Sequence, residues 1–144
     1  MHIVICSSID FTLQIAQVAQ ELTRLGHTVD IPLTSQQIIA GELTLEDYFA
    51  EKTNAGESAR RKIEHDVIRS YFEKIKMADG ILVLNFDKKG IANYIGGNTF
   101  LEMGFAHVLN KRIILYRPVP EMLYTDELLA FNPEVIDEDL ALIR

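Results

Sequence analysis

The sequence contains no tryptophan, a single cysteine and no long apolar run. Because Cys6 has no second cysteine to pair with, the chain cannot form an internal disulfide, which is typical of proteins in a reducing compartment. A membrane-spanning helix needs about 20 apolar residues, and a secretory signal needs a basic segment before a long apolar core; the sequence shows neither. We therefore expect a cytoplasmic protein with no membrane partner, and we interpret Cys6 as a buried, inert thiol.

Positive charge is scarce, since 14 lysine and arginine residues are outnumbered by 21 acids and the formal net charge is −7. Such a surface repels nucleic acid, so we exclude DNA or RNA as a partner. The one dense basic cluster, residues 60–62 (Arg-Arg-Lys), is offset by Glu57, Glu64 and Asp66, and we interpret it as a solvated helix face. No grouping of histidine, cysteine and acids has metal-ligand spacing, so we predict neither a metal nor a cofactor.

Strand-like and helix-like segments alternate along the chain. Short apolar runs such as "HIVIC", "GILVLNF" and "RIILY" indicate buried strands, and segments with apolar residues at helical spacing lie between them. This alternation favours a parallel sheet covered by helices, and a length of 144 residues favours one domain, residues 1–144. The predicted strands are 2–6, 27–32, 80–86, 112–116 and 134–136; the predicted helices are 11–25, 58–77, 99–109 and 125–131, with a helix start at 44, a break at 55–58 and a final turn at 137–143.

The carboxyl ends of the predicted strands are where a ligand site is expected. Ligands of open parallel sheets bind beyond these ends, at the point where the strand order reverses. The candidate residues are Ser7, Ser8 and Phe11 after the first strand, Asn85, Asp87 and Tyr94 after "ILVLNF", and Met122 after "RIILY". Phe11, Tyr94 and Met122 are candidates to line an apolar pocket, although each residue type is also common in cores and loops.

Gly96 and Gly97 precede the helix that we predict from Thr99. Without a Cβ they allow a ligand to approach the backbone closely, and free amides at a helix start attract a phosphate or a carboxylate. The segment is not a Walker loop, since no Gly-Lys-Ser/Thr ends it, and it lacks the G-x-G-x-x-G spacing of a dinucleotide site. A ligand contact by Gly96, Gly97 and Asn98 and a simple turn both remain open.

Glu102 is the one acid between Asn93 and Leu115, and it has two interpretations. Residues 99–102 match the capping box, a Ser or Thr followed three residues later by Glu, in which the carboxylate accepts from a backbone amide. The same position also faces the carboxyl rim of the predicted sheet, where a carboxylate is available to a ligand. The two roles are compatible, because a cap would also orient the acid.

The segment "GGNTFLEMGFAHVLNKRIIL" resembles the nucleoside 2-deoxyribosyltransferase family and its relatives that hydrolyse deoxynucleoside 5′-monophosphates. The family pattern is a strand that begins Ala-Asp, a loop of small residues, Glu-x-Gly-x-Ala on a helix, and a further strand. Here Ala78-Asp79, the loop through Asn98, residues 102–106 and "NKRIIL" match it, and the opening with Phe11 and "LGHTVDIP" is also similar. The resemblance implies a single flavodoxin-like α/β domain with three layers and a mostly parallel sheet of about five strands.

If this chain follows the family, Glu102 is the nucleophile. Its carboxylate would attack C1′ of a 2-deoxyribose and expel the base, and water or a second base would then take the sugar. This chemistry needs an ionised, rigidly held carboxylate, and we expect the helix start to supply both conditions. Gly104 would allow close packing beneath the site.

The function implied by the resemblance is cleavage or transfer at an N-glycosidic bond. The small-molecule partner would be a nucleoside or a nucleoside 5′-monophosphate. The choice of base, the presence of the 5′-phosphate and the acceptor of the sugar are left open.

The chain departs from the family pattern at two positions. Family transferases carry an Asp about two helical turns before the Ala-Asp strand, where this chain has Tyr71, flanked by Asp66 and Glu73. Asp87 is the nearest substitute for proton delivery to the leaving base, and we predict it as a second catalytic residue, although a loop Asp is also a common turn residue. Six residues before the nucleophile, where the family often has Ser or an acid, this chain has Gly96 and so offers only backbone amides.

The departure at Tyr71 keeps an alternative function open, a nucleotide-binding or sensor domain of the same fold that does not turn its ligand over. The resemblance also implies a homodimer or larger homo-oligomer, in which a neighbour's loop near residues 122–125 completes each site. A phosphate-accepting receiver domain fits poorly, because Ser7 and Ser8 occupy the place of its acidic pair. A flavin site fits poorly as well, since the first loop is too poor in hydroxyls and glycine.

Overall fold

The computed structural model describes residues 1–54 and 56–144 and contains a five-stranded sheet. The break predicted at 55–58 includes Ala55, which lies outside the described residues. The strands are β1 (His2–Ser7), β2 (Thr28–Asp30), β3 (Gly80–Leu84), β4 (Arg112–Leu115) and β5 (Glu134–Val135). The helices are α1 (Thr12–Arg24), α2 (Leu33–Ile39), α3 (Leu45–Thr53), α4 (Glu57–Glu64), α5 (Val67–Met77), α6 (Gly97–Val108) and α7 (Thr125–Ala130), with 3-10 turns at Ile9–Phe11 and Leu140–Leu142.

All five strands are parallel, in the order β2-β1-β3-β4-β5. Parallel neighbours need crossover connections, and the helices supply them. Every residue of β3 is buried, as its uninterrupted apolar sequence predicts for a strand covered on both faces. The strand order reverses between β1 and β3, whose last residues Ser7 and Leu84 are paired in register. The predicted three-layer fold, with a parallel sheet of about five strands, is confirmed.

Side chains of β1 alternate between two hydrophobic cores, one on each face of the sheet. Val4 and Cys6 belong to one core, whereas Ile3 and Ile5 belong to the other. The helices contribute Tyr71, Ile75, Met103, Ala106 and Leu128 to the first core and Ile15, Val18 and Leu22 to the second. Each fully buried aliphatic side chain contributes about 1.5–3 kcal/mol of transfer free energy, so these two cores hold the helices on the sheet.

The helix predicted over 58–77 is two helices, α4 and α5, so the prediction of one continuous helix is wrong. Between them Asp66 adopts a left-handed backbone conformation with φ of 40°, which a continuous right-handed helix excludes. The apolar residues at helical spacing in this segment are not all buried, since Ile63 of α4 is 78% exposed while Ile75 of α5 is fully buried. As a result α4 lies beside α3, joined to it by an ion pair between Arg61 Nε and Glu51 Oε2 at 2.8 Å.

Two short elements differ from the sequence prediction. Helix α2 forms in a stretch where the sequence predicts no regular structure, and the final turn expected at 137–143 shortens to the 3-10 turn Leu140–Leu142. The short strand β5 forms where expected, through the parallel pairs Ile114–Glu134 and Leu115–Val135. Within the described ranges, no helix has both the length and the apolarity that a membrane crossing requires.

Candidate active site

A pocket of about 340 Å³ opens beyond the carboxyl ends of β1 and β3, where the strand order reverses. This volume lies in the range of small-molecule sites, about 300–1,000 Å³. The start of α6 and the loop that precedes it line one side of the pocket, and residues of α2, α3, α4 and α5 complete it. The predicted residues that line the pocket are Ser7, Ser8, Tyr94, Gly96, Gly97, Asn98 and Glu102.

Tertiary contacts explain why these residues meet although they come from distant parts of the sequence. The Ser7 hydroxyl donates to the carbonyl oxygen of Leu84 at 2.8 Å, which holds the end of β1 against the end of β3. Lys62 Nζ donates to Asn98 Oδ1 at 3.3 Å and connects α4 to the first turn of α6. The pocket is therefore built where two strand ends and two helices converge.

Three predicted ligand contacts lie outside the pocket lining and have packing roles instead. The ring of Phe11 packs edge-on against Phe86, with centroids 5.1 Å apart. Asn85 is buried, and its amide donates to the carbonyls of Arg117 and Pro118 at 3.0 Å each. Met122 packs against the hydrophobic core. The position after a strand is therefore not sufficient to place a side chain in the site.

Asp87, the predicted second catalytic residue, also lies outside the pocket lining. Its side chain is 69% exposed, and its Oδ1 accepts from the backbone amide of Asn93 at 2.9 Å and lies 3.5 Å from Arg117 Nη1. These contacts stabilise the turn that follows β3. These are the contacts of a turn residue, the alternative that the sequence left open for Asp87.

Glu102 is not a helix cap, and the capping-box prediction is wrong. Helix α6 begins at Gly97, two residues earlier than predicted, with Gly96 as the N-cap. Thr99 is therefore the third helical residue rather than the cap, and its side chain is buried. Glu102 lies in the second turn of α6, partly buried, with its side chain in the pocket lining.

Burial raises the pKa of Glu102 to about 8, because it penalises the charged carboxylate. A hydrogen bond from Cys6 and the positive charge of Lys62 act in the opposite direction but do not restore the ordinary pKa. The structure thus contradicts the expectation that the helix start keeps this acid ionised. A pKa near neutrality suits a group that gains or loses a proton during catalysis.

Cys6 is fully buried beside Glu102, and its thiol hydrogen-bonds to the Glu102 side chain. Burial, followed by the negative charge and hydrogen bond of Glu102, raises the pKa of the thiol well above its usual value. The thiolate is the reactive form of cysteine, so this thiol stays protonated. The prediction that Cys6 is buried is confirmed.

Tyr71 occupies the position where the resemblance leads one to expect an Asp. It is buried in the pocket lining, and its hydroxyl donates to the carbonyl oxygen of Ile5. Burial, followed by nearby Cys6 and Glu102, raises the pKa of the hydroxyl well above its usual value. The flanking acids do not replace the Asp, because Asp66 is 61% exposed and pairs with Arg69, while Glu73 is 55% exposed and pairs with Lys76.

Five cationic side chains line the pocket, and the sequence interpretation missed all of them. They are Lys52 of α3, Arg61 and Lys62 of α4, and Lys88 and Lys89 of the loop after β3. The solvated-face interpretation of residues 60–62 is wrong for Arg61, whose side chain is 21% exposed and donates to Glu51 and to Gln37. Lys88 and Lys89 follow a predicted strand, so the carboxyl-end rule applied to charged side chains would have found them.

Lys88 joins the loops that follow β1 and β3. Its ammonium group lies 2.7 Å from Asp10 Oδ2 and donates to Ser8 Oγ at 2.8 Å. Burial by itself raises the pKa of Asp10, but the hydrogen bond and charge of Lys88 outweigh it and the net pKa is lowered. Asp10 therefore stays ionised and fixes the position of Lys88 in the pocket lining.

The glycines near α6 have different surroundings. A Cβ placed on Gly97 meets no atom within 4 Å, so the first residue of α6 borders open space. A Cβ on Gly96 would meet a ring carbon of Tyr94 at 3.4 Å, an ordinary contact. At Gly104 a Cβ again meets nothing within 4 Å, so the prediction that close packing requires a glycine there is wrong.

The described residues contain no group of three or more histidine, cysteine or acidic side chains that could hold a metal ion. The pocket instead combines one carboxylate, Glu102, with backbone at a helix start, tyrosine rings and several cations. The parallel sheet with helices on both faces defines the class: a flavodoxin-like α/β domain with a pocket at the point where the strand order reverses.

Comparison of the structure with solved structures finds this architecture in a 2-deoxyribosyltransferase from the psychrotolerant bacterium Bacillus psychrosaccharolyticus. The likeness has a TM-score of 0.60 and 21% sequence identity, and it covers 99% of this chain and 95% of the other. No family model and no curated protein matches the sequence. The likeness therefore establishes a shared fold over the whole length of the chain.

Proposed function

We propose that the protein cleaves or transfers the N-glycosidic bond of a nucleoside or nucleotide, with Glu102 as the nucleophile. The observation that carries this proposal is the position of Glu102, which is the single acid in the lining of the switch-point pocket among the described residues. Support comes from the fold shared with a 2-deoxyribosyltransferase and from the Glu-x-Gly-x-Ala segment at residues 102–106.

The reaction has two steps at C1′ of the sugar. In the first, a carboxylate oxygen of Glu102 forms a bond to C1′ while the bond from C1′ to the base nitrogen breaks, and the base leaves with the electron pair and takes up a proton from water. In the second, water or another base attacks C1′ and gives up a proton to solvent, and the carboxylate departs. Both transition states carry positive charge on the sugar, which a carboxylate held at short range stabilises.

Ionisation of Glu102 is the condition for the first step. With a pKa of about 8, only about a tenth of the free protein carries the carboxylate at pH 7. The cation Lys62 favours the ionised form, and it is connected to the start of α6 through Asn98. Activity in the nucleophile mechanism therefore rises with pH, whereas a Glu102 that acted as a general acid would give activity that falls over the same range.

The decisive experiment is a base-release assay over purine and pyrimidine 2′-deoxynucleosides and their 5′-monophosphates. Wild type is compared with Glu102→Gln, which keeps the side-chain shape and removes the charge. We expect free base from at least one substrate with wild type and none with the variant. Equal activity of the two proteins would remove Glu102 from the chemistry.

A second candidate is a domain that binds nucleotides without turning them over. The observation in its favour is that no second carboxylate lines the pocket in the described part of the chain, since Tyr71 replaces the expected Asp. A thermal-shift panel paired with chromatography separates the two functions. Stabilisation by a nucleotide without release of any base supports the binding domain.

The homo-oligomer and the cytoplasmic location stay predictions. Leu123 in the loop at residues 122–125 is 99% exposed, which supports the idea that a neighbouring copy covers this loop. Size-exclusion chromatography with light scattering, on wild type and Leu123→Ser, measures the assembly directly. A monomeric wild type at micromolar concentration would contradict the prediction.

A further inference from the structure

The charge of the pocket is opposite to the charge of the chain. The formal net charge of the protein is −7, yet five cationic side chains and a single carboxylate line the pocket. A concave site lined by one sign of charge concentrates ligands of the opposite sign. This inversion points to a ligand with more negative charge than a nucleoside, which is neutral.

Internal ion pairs neutralise only part of this positive charge. Arg61 is paired with Glu51 at 2.8 Å and Lys88 with Asp10 at 2.7 Å. Among the described residues, no carboxylate lies at ion-pair distance from the ammonium groups of Lys52, Lys62 or Lys89. The nearby acids Glu51 and Asp10 are paired with Arg61 and Lys88 instead. Cations without acidic partners in a pocket are available to bind an anion.

Lys52, Lys88 and Lys89 are close enough to influence one another. Burial lowers the pKa of Lys52, and the charges of Lys88, Lys89 and Lys62 lower it further, against the opposing effect of Asp10. Lys88 and Lys89 both lie over the ring of Tyr94, at 5.9 Å and 5.6 Å from its centroid. Repulsion between these ammonium groups is relieved when an anion binds between them.

The two ends of the pocket carry different groups. Lys62 contacts Asn98, and its charge acts on both Glu102 and Lys52, so it lies between the lysines and the end where the proposed glycosidic chemistry takes place. Lys88 is fixed by Ser8 and Asp10 at the loop after β1. A ligand with an anionic group at one end and a reacting sugar at the other fits this separation.

We propose that Lys52 and Lys89, which have no acidic partner among the described residues, bind the phosphate of the substrate, so that the substrate is a nucleoside 5′-phosphate rather than a free nucleoside. The assignment deepens the proposed function and rests on it for the identity of the sugar and base. The phosphate occupies the lysine end, and C1′ lies toward Glu102. Two unpaired lysines suit a phosphate dianion, because each ammonium group donates several charge-assisted hydrogen bonds.

The experiment is a calorimetric titration on the Glu102→Gln background, which prevents turnover during the measurement. The probes are a 2′-deoxynucleoside, its 5′-monophosphate and inorganic phosphate. We expect the monophosphate to bind at least about tenfold more tightly than the nucleoside, with an affinity that falls as salt increases. Equal affinities for nucleoside and monophosphate would overturn the proposal, as would the absence of any binding.

Lysine variants show which side chains bind the phosphate. Lys52→Gln and Lys89→Gln are each expected to weaken monophosphate binding about tenfold and to leave nucleoside binding unchanged, and Lys52→Arg is expected to retain the affinity of Lys52. The matched control is Lys76→Gln, an exposed lysine that pairs with Glu73 outside the pocket. Equal loss for nucleoside and monophosphate would show that the lysines shape the pocket rather than bind phosphate, and would overturn the proposal.

The remaining outcomes distinguish this site from the proposed reaction. Inorganic phosphate that binds as tightly as the nucleotide would indicate a free-phosphate site and contradict the nucleotide assignment. A lysine-dependent preference for the monophosphate, combined with no base release by wild type, would disprove the glycosidic reaction and support the phosphate site. Base release from nucleosides alone, without any effect of Lys52→Gln, would support the reaction and disprove the phosphate site.

Discussion

The two walls of the pocket are held in different ways. The wall formed by β1 and α6 carries Glu102 and is continuous with the first hydrophobic core through fully buried residues such as Cys6 and Met103. The wall formed by α3 and α4 carries Lys52 and Arg61, and α3 buries none of its residues. Segments with few buried apolar contacts open at the lowest free-energy cost. The acid therefore has a rigid support, while the cations of α3 and α4 lie on the wall that opens more easily.

The largest expected effect comes from removing Glu102, the acid on the wall formed by β1 and α6. Glu102→Gln is expected to lower base release at least about a thousandfold, because an amide cannot form the glycosyl ester. Chromatography of the released base measures it. Glu73→Gln, an exposed acid on α5 paired with Lys76, is the matched control and is expected to retain wild-type activity.

The pH dependence of base release tests the ionisation of Glu102 without a mutation. Because burial raises the pKa of Glu102 to about 8, base release by wild type under kcat/KM conditions is expected to rise about tenfold between pH 7 and pH 9. The profile is measured with constant ionic strength. A rate that declines over this interval would identify Glu102 as a proton donor instead of a nucleophile.

Stability against pH gives a readout that is independent of substrate. The pKa of Glu102 rises from its ordinary value of 4.5 to about 8 in the fold. Between pH 4.5 and pH 8 the native state therefore keeps a proton that the unfolded state has lost. Stability therefore falls as pH rises through this window, and the penalty is complete above pH 8. One pKa unit corresponds to about 1.4 kcal/mol, so the penalty is of the order of a few kcal/mol.

The Gln side chain carries no such penalty, because it does not ionise. We expect the melting temperature of Glu102→Gln to exceed that of wild type by several degrees at pH 9 and to approach it at pH 5. Differential scanning calorimetry at both pH values measures the difference. A melting-temperature difference of the same size at pH 5 and pH 9 would mean that burial does not shift the pKa of Glu102.

The smallest expected effect concerns the wall formed by α3 and α4. Arg61→Gln removes the ion pair with Glu51, and we expect a loss of about 1 kcal/mol or less, as for other partly exposed pairs. Hydrogen exchange should quicken in α3 and α4 and stay unchanged in α6. Equal acceleration in α6 would show that the two walls form one cooperative unit.

Local patterns were sufficient for the layers of this fold and for the approximate location of the pocket. Uninterrupted apolar runs such as "GILVL" have to be buried on both faces, so the central strands β1, β3 and β4 were predictable. The carboxyl-end rule brought Ser7, Ser8 and the glycine loop to the lining of the pocket. The same rule did not bring Phe11, Asn85 and Met122 into the lining, because it gives the position of a residue and not the direction of its side chain.

Details that depend on contacts between segments were not predictable. The break between α4 and α5 was missed because the apolar spacing continues through Ile63, although that side chain is exposed. The start of α6 was misplaced because Gly96 begins the helix without a side-chain cap, and the Thr99–Glu102 spacing imitates one. Arg61 was assigned to solvent because its partners, Glu51 and Gln37, come from other helices.

The amino-acid sequence by itself determined a three-layer fold with a parallel sheet, and an acid near the carboxyl ends of its strands. Both follow from periodicity within single segments. Only the tertiary structure decided the state of that acid and the charge around it. The pKa of Glu102 depends on burial and on Cys6 and Lys62, which belong to β1 and α4. Free energies of this kind depend on distances between segments, and no pattern along one segment encodes those distances.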